Sequence, residues 1–401
     1  MISKILKSSA VLMLLNVSGG LFTYFSQVVA AKRLGIADFA DLSVGLATFG
    51  IFLSAGALTQ NLALIATAAK GRSFDAIRRT SWPIALVCLT STFFMACFYT
   101  GDSVLGVLLT AFPAAMLAGF WSGTLQGLKL FAWFGLVGWS GAFIRMFFSL
   151  ASSTKQHFAG AVGAGLGFML VLGLLINTQA TKKEITRKNR HFESESISAR
   201  DLFYSVLLAF GVALFPAFDL LNVKSLFEPE TVGHYGRLQL FGKILYFAPM
   251  TLLQVTFPYY LKAFSGELDA RGLSRLRRIE FIALFCCYAG AACLAVAGPA
   301  LLESTTGIRG ISGRQILLQC LSMVPLYGLM SALQLSVSLK KTGLSILCVS
   351  VVFLSFAAAR LPGIGSLDGY LVFSAVMNTV MGIIGFVASS RALSACCHRT
   401  Q

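Results

Sequence analysis

Acidic residues are scarce in this sequence. Only 16 Asp and Glu occur in 401 residues, against 32 Lys and Arg, and charged residues together make up 12%. That is about half the usual share of a soluble domain. Too few polar groups are present to clothe a water-facing surface, so a soluble fold is excluded, and disorder, coiled coil and collagen-like structure fall with it. Catalytic motifs are missing as well. The four histidines (His157, His191, His234 and His398) are scattered at expected loops and span ends. No HExxH, GxSxG or P-loop pattern occurs, which argues against an enzyme and against an ATP-driven pump within this chain. Nine cysteines include no CxxC pair, so neither a zinc site nor a disulfide framework is expected, and no cofactor. Most cysteines lie in apolar runs and read as small hydrophobes. The adjacent Cys396 and Cys397 in the tail leave lipid attachment as a weaker reading.

Apolar residues are what the chain has in quantity: they make up 56% of it, and the mean hydropathy is +0.78. The net charge of +16 sits in short clusters between long apolar runs. That pattern suits anionic lipid and a topology signal rather than nucleic acid. A bilayer core needs about 20 apolar residues per helix. Twelve spans are expected on that basis, near 8–31, 38–69, 82–100, 103–126, 131–152, 157–178, 201–223, 234–261, 279–302, 314–339, 343–360 and 369–390. The runs are continuous and lack the period-two alternation of membrane strands, so they are helices. The first follows a basic start and resembles a signal peptide, but it exceeds the roughly 7–15 residues of a signal core and is expected to stay.

Placing the N-terminus in the cytoplasm puts 22 of the 32 Lys and Arg on the cytoplasmic side, among them Lys4, Lys7, Lys182, Lys183, Arg275, Arg277, Arg278, Lys340 and Lys341. The bias predicts an even number of spans with both termini inside the bacterial inner (cytoplasmic) membrane. The expected fold is therefore an all-α polytopic membrane protein of about twelve transmembrane helices in two six-helix lobes. The first lobe covers 1–178 and the second 201–401 with a short tail. The basic-then-acidic stretch 179–200 is the cytoplasmic linker. An offset of 193 residues superposes the turn at 34–42 on that at 227–235 in position and hydropathy, as a parallel repeat would.

Charges within spans usually face a bundle interior or a wet cavity. Asp219 reads as the one acid well inside a span, three residues after Pro216, which should kink the helix and free a carbonyl. It is a candidate ion-coupling site; the alternative is a structural pair with Lys224. Arg145, Lys224, Arg237, Lys243, Lys32 and Arg33 could together line a cationic cavity for an anionic substrate. The alternative for those near helix ends is snorkelling to the interface. Asn16, Gly20, Thr23 and Gln27 share one face of the first span, which suits either a cavity wall or helix packing.

The stretch 217–262 carries Asp219, Lys224 five residues on, Gly233 and Tyr235 opening the next helix, and Phe257-Pro258 near its end. This pattern resembles the seventh and eighth spans of polysaccharide and O-antigen flippases of the multidrug/oligosaccharidyl-lipid/polysaccharide (MOP) exporter superfamily. Leu34-Gly35 and Phe39 match the first hairpin turn of that family, with Ala40 where glycine is usual. The resemblance implies a MOP-type transporter fold. It also implies movement of a polyprenyl-diphosphate-linked oligosaccharide, an O-antigen or other polysaccharide repeat unit, from the cytoplasmic to the periplasmic leaflet by alternating access. Its implied partners are that lipid-linked oligosaccharide, membrane lipid, Na+ or H+ as coupling ion, and other polysaccharide-assembly membrane proteins. Lys224 and Asp219 are the site residues it carries over by motif; the other bases come from their placement in or near spans. Two alternatives stand beside it. A cation-coupled drug or metabolite antiporter would need acids in the cavity. A membrane glycosyltransferase or polymerase would need a catalytic group among Asp102, Glu228, Glu230, Glu303 and Asp368.

Overall fold

The computed structural model describes residues 2–69, 103–187, 199–262, 270–306, 310–339, 342–358 and 364–397. Every element among them is helical. In chain order these are α1 (Ile2–Arg33), α2 (Ile36–Phe52), α3 (Ser54–Ala69), α4 (Ser103–Thr110), α5 (Phe112–Gly127), α6 (Phe131–Ala151), α7 (Lys155–Arg187), α8 (Ala199–Leu226), α9 (Pro229–Lys262), α10 (Ala270–Thr306), α11 (Gly313–Ser338), α12 (Thr342–Ala358) and α13 (Leu367–Cys397). The third expected span, 82–100, lies outside the described residues. So does the middle of the expected linker, 188–198; its first part is helical because α7 continues to Arg187, and its last two residues open α8.

Eight spans among the described residues are long and apolar enough to cross a bilayer, and a ninth if α4 and α5, bent by 44°, count as one. The bend has a local cause. Pro113 lies in the first turn of α5, where its missing N–H breaks the ladder running on from α4. The 28 residues of α8 cover the expected seventh span, and the 17 of α12 the eleventh. Lipid-facing surface is apolar, with Phe147 on α6 and Phe281, Phe285 and Val296 on α10 exposed.

Small residues let helices in the first half of the chain approach closely. Gly119, Gly123 and Gly127 recur every fourth residue on the face of α5 that meets α3. A Cβ on Gly119 would strike the carbonyl of Gly56, one on Gly123 the carbonyl of Gln60, and one on Gly127 the side chain of Thr67. Without a solvent-driven hydrophobic effect in lipid, such contact packing is what holds helices together.

The second half packs around α11, buried along most of its length against α9, α10 and α13. At the end nearest the chain termini it is tied by an ion pair. Glu280 and Arg277 of α10 lie 3.0 Å apart and are both buried. Glu280 Oε1 accepts from Thr256 (3.1 Å) and Tyr260 (3.0 Å) of α9, and Oε2 from Ser331 of α11 (2.8 Å). Arg277 also donates to Ser331 and to Ser389 of α13, and its guanidinium lies 4.2 Å from the Phe386 ring centroid. Glu280, at the edge of the expected ninth span, is thus a second buried acid beside Asp219; Arg277, placed in a cytoplasmic loop, is buried with it.

The two halves of the chain meet at both ends of the bundle. At the end of the α1–α2 and α8–α9 turns (the hairpin end), Ala40, Val44 and Ala47 join Ala217, Leu220, Val232 and Tyr235 in one apolar cluster. At the opposite end (the terminus end), Leu12, Leu125, Phe131 and Ile176 join Val255, Tyr260, Leu276 and Leu335.

Two substitutions test this packing. Gly123→Val should separate α5 from α3 and abolish a monodisperse species in size-exclusion chromatography. Glu280→Ala leaves Arg277 buried without its partner and should cost about 3–5 kcal/mol, read as a lowered unfolding midpoint in detergent, whereas Phe281→Ala on the lipid face should leave the midpoint nearly unchanged.

Candidate functional site

The polar face of α1 faces a cavity. Asn16, Gly20, Thr23 and Gln27 line a slot of about 330 Å³ against Leu240, Lys243, Ile244 and Phe247 of α9. Thr23, Gln27, Lys243 and Phe247 also line a second cavity of about 320 Å³, which reaches Phe49 and Gly50 of α2, Arg145 of α6 and Ala217 of α8. The shared lining makes the two spaces neighbours in one interhelical region. Arg145 comes from the first half and Lys243 from the second. The Nε of Arg145 is buried without a hydrogen-bond partner. No Asp or Glu lines either space. The slot is apolar toward lipid: Val17, Leu21 and Phe247 on its rim are 40%, 46% and 48% exposed.

The other expected bases lie elsewhere, for reasons that are local. Lys224 is exposed in the last turn of α8 and lines neither space, because α8 carries it past the cavity to the hairpin end. Lys32 and Arg33 are exposed in the last turn of α1. Arg33 donates to the carbonyls of Leu150 (2.8 Å) and Ser152 (2.7 Å), capping the end of α6. Arg237 is buried, but it points across the junction of the halves rather than into the cavity. Its guanidinium lies 5.6 Å from the Phe39 ring centroid and donates to the carbonyl of Ala31 at 3.4 Å. Beside it α9 presses on α2, where a Cβ on Gly233 would meet Ile36 at 2.7 Å. Lys155, at the start of α7, pairs with Asp38 (3.0 Å) and Asp41 (2.7 Å) of α2.

Asp219 is buried inside the second half and does not pair with Lys224. Its Oδ1 accepts from Ser374 (3.1 Å) and Tyr370 (3.4 Å) of α13, and Tyr370 also donates to its backbone carbonyl at 3.2 Å. Asn378 extends the cluster through Ser374. The buried Asp219 Oδ2, the Tyr235 hydroxyl and the Gln319 amide make no hydrogen bond. The convergence of Ser374 and Asn378 on Asp219 is not legible in residue order, because 155 residues separate Ser374 from it.

Interior amides form a further group that span-by-span reading separates. Gln126 of α5 donates to the carbonyl of Gln254 on α9 at 2.6 Å and accepts from Gln60 of α3 at 3.1 Å. Asn16 of α1 donates to Gln254 Oε1 at 3.0 Å. Gln60, Gln126 and Gln254 each look like an isolated polar residue in an apolar run, and Asn16 belongs to the polar face of α1.

No family model matches the chain, and no curated protein does. Solved structures match it over nearly its whole length. A MOP superfamily transporter from Pyrococcus furiosus Vc1 (DSM3638), described as having a binding pocket of reverse polarity that suggests a different function, superposes with a TM-score of 0.73 at 16% identity, over 98% of this chain and 95% of that one. A multidrug resistance MATE family transporter of the MOP superfamily, in an outward-facing conformation, gives 0.71 at 17% over 98% and 97%. A MATE structure in complex with MaD3S gives 0.72 at 18% over 98% and 96%. The chain is an all-α polytopic membrane protein with the fold of the MOP transporters.

Proposed function

We propose that the protein is a flippase for a polyprenyl-diphosphate-linked oligosaccharide, moving the headgroup across the membrane between two helical lobes that correspond to the halves of the chain. The observation that carries this reading is the pairing of Arg145 with Lys243 across one cavity that no acid lines. Two cations in an apolar space are costly unless an anion joins them. A diphosphate supplies that charge, and guanidinium and ammonium groups replace the water it loses. A cationic drug would meet the opposite field, so the antiporter reading is disfavoured. That a transporter of this fold is described as having a binding pocket of reverse polarity is in keeping with this reading.

The slot between α1 and α9 supports a lipid-anchored substrate in particular. Its rim residues Val17, Leu21 and Phe247 are exposed where lipid lies. A prenyl chain can remain in the bilayer there while the phosphates sit against Lys243. The polymerase reading finds no support in this geometry, since the cavity offers no acid or base pair placed for glycosyl transfer.

In this reading the terminus end is cytoplasmic, as the basic clusters predict. With the cell interior negative, outward movement of the anion gains about 2.3 kcal/mol per charge per 100 mV. Asp219 is the proposed coupling site. Its carboxylate and the oxygens of Tyr370, Ser374 and Tyr235 form a compact, acid-bearing cluster beside the cavity. Occupation by Na+ or H+ would alter the packing of α8 against α13.

Two measurements check the proposal. Arg145→Ala and Lys243→Ala, at normal expression, should each lower surface glycan at least about tenfold, the loss of one charge-assisted contact, and accumulate lipid-linked precursor. Lys224→Ala should retain most of the surface glycan. Equal glycan in all three strains would remove the cationic-cavity mechanism. For the coupling site, Asp219→Asn keeps an acceptor for Ser374 and Tyr370, so the protein should fold normally. Its flipping in proteoliposomes should lose any dependence on a Na+ or proton gradient that the unaltered protein shows.

A further inference from the structure

The amide cluster at the terminus end has a specific origin in the sequence. In a helix, the carbonyl of residue 254 is the acceptor for the N–H of residue 258. Residue 258 is proline, which has no N–H. The Gln254 carbonyl is therefore left open on α9, in the interior of the bundle. Gln126 fills it from the other half of the chain, with Nε2 donating at 2.6 Å. Gln126 is itself buried and held by Gln60, while the Gln254 side chain is held by Asn16. Two helices of the first half, α1 and α5, thus meet at one residue of α9, and a third, α3, holds the Gln126 side chain in place.

We propose that this clasp is the gate that closes the cavity at the terminus end, with the proline-freed carbonyl of Gln254 as its docking point. Position along α9 places it correctly. Lys243 lies about 9 Å from Arg237, which bridges the halves at the hairpin end, and about 16 Å from Gln254, at 1.5 Å per residue. The cavity lies between these two junctions. The clasp is also suited to breaking and re-forming. Its bonds are neutral amide hydrogen bonds, each of modest net strength, and once water enters the open cavity every amide can find a replacement partner. An ion pair at the same place would cost far more to separate. Gln126 binds only where a helical carbonyl lacks its own donor, so one position on α9 is selected over its neighbours. The proposal rests on reading the chain as an alternating-access carrier, but not on the identity of the cargo.

The test measures access rather than transport, so it stands apart from the glycan assays. In a variant with the native cysteines replaced, Thr23→Cys puts a single thiol in the cavity. The pair Ser43→Cys and Gly236→Cys locks the hairpin end: a Cβ at 236 would lie 3.3 Å from that of Ser43, close to disulfide range. The locked protein in lipid nanodiscs is treated with a charged, membrane-impermeant maleimide. Labelling of the residue-23 thiol should be slow. Gln126→Leu should raise its rate at least about fivefold, the population shift that one lost hydrogen bond produces. Pro258→Ala, which restores the helical donor to the Gln254 carbonyl and displaces Gln126, should raise it in the same direction. Unchanged rates in both variants, with full labelling after denaturation, would overturn the gate. So would acceleration that appears only when the hairpin-end disulfide is reduced.

Discussion

Two cations share an apolar cavity with no acid in its walls, and the architecture can be understood from that constraint. Several other bases among the described residues have been given partners. Arg277 has Glu280, Ser331 and Ser389; Lys155 has two aspartates; Arg33 and Arg237 have carbonyls, and Arg237 an aromatic face as well. Arg145 and Lys243 instead line one cavity from opposite halves, with the buried Asp219 within electrostatic reach of Lys243 but not hydrogen-bonded to it. Low dielectric magnifies their repulsion as much as it would magnify attraction to an anion. In the reading proposed above, the phosphates of the headgroup would turn this liability into binding.

A carrier of the proposed kind needs stiff parts and a soft seam between them. Stiffness here has two sources. In the first half, α5 lies so close to α3 that no side chain fits at Gly119, Gly123 or Gly127. In the second, one carboxylate accepts hydrogen bonds from two neighbouring helices and is neutralised by an arginine of its own helix that reaches a further one. The contacts between halves are of another kind. At the hairpin end an apolar cluster is joined by a close approach at Gly233 and one long hydrogen bond from Arg237; at the terminus end a second apolar cluster is joined by amides. Among the described residues the polar bonds between the halves are neutral or long and the ion pairs lie within the halves, a distribution that favours rigid-body movement over unfolding.

Much of the scaffold was legible in residue order. Apolar run lengths marked the spans, and the polar face of α1 was visible as Asn16, Gly20, Thr23 and Gln27 at helical spacing; all four line the slot. The same pattern could not distinguish bases that enter a cavity from bases that cap a neighbouring helix. Arg33 and Arg237 have the same local appearance as Arg145, a cation at or inside an apolar run. What differs is the element opposite, which for Arg237 is the end of α1, 206 residues away. Glu280 was hidden for a related reason. It stands next to Arg277 and Arg278, and a charge cluster beside a span reads as solvated loop until α9, α11 and α13 are seen to close around it.

Sequence alone determined the solvent and the element type. Hydropathy is additive along the chain, and a backbone in lipid must satisfy its own hydrogen bonds, so long apolar runs can only be helices. Tertiary structure decided which polar groups meet. The cavity, the Asp219 cluster and the amide clasp each join residues from helices far apart in the chain. Helix periodicity specifies which face a residue occupies but carries no information about the helix packed against that face. Pro258 shows both halves of the lesson: its missing N–H is written in the sequence, while the identity of the group that answers the freed carbonyl exists only in the folded bundle.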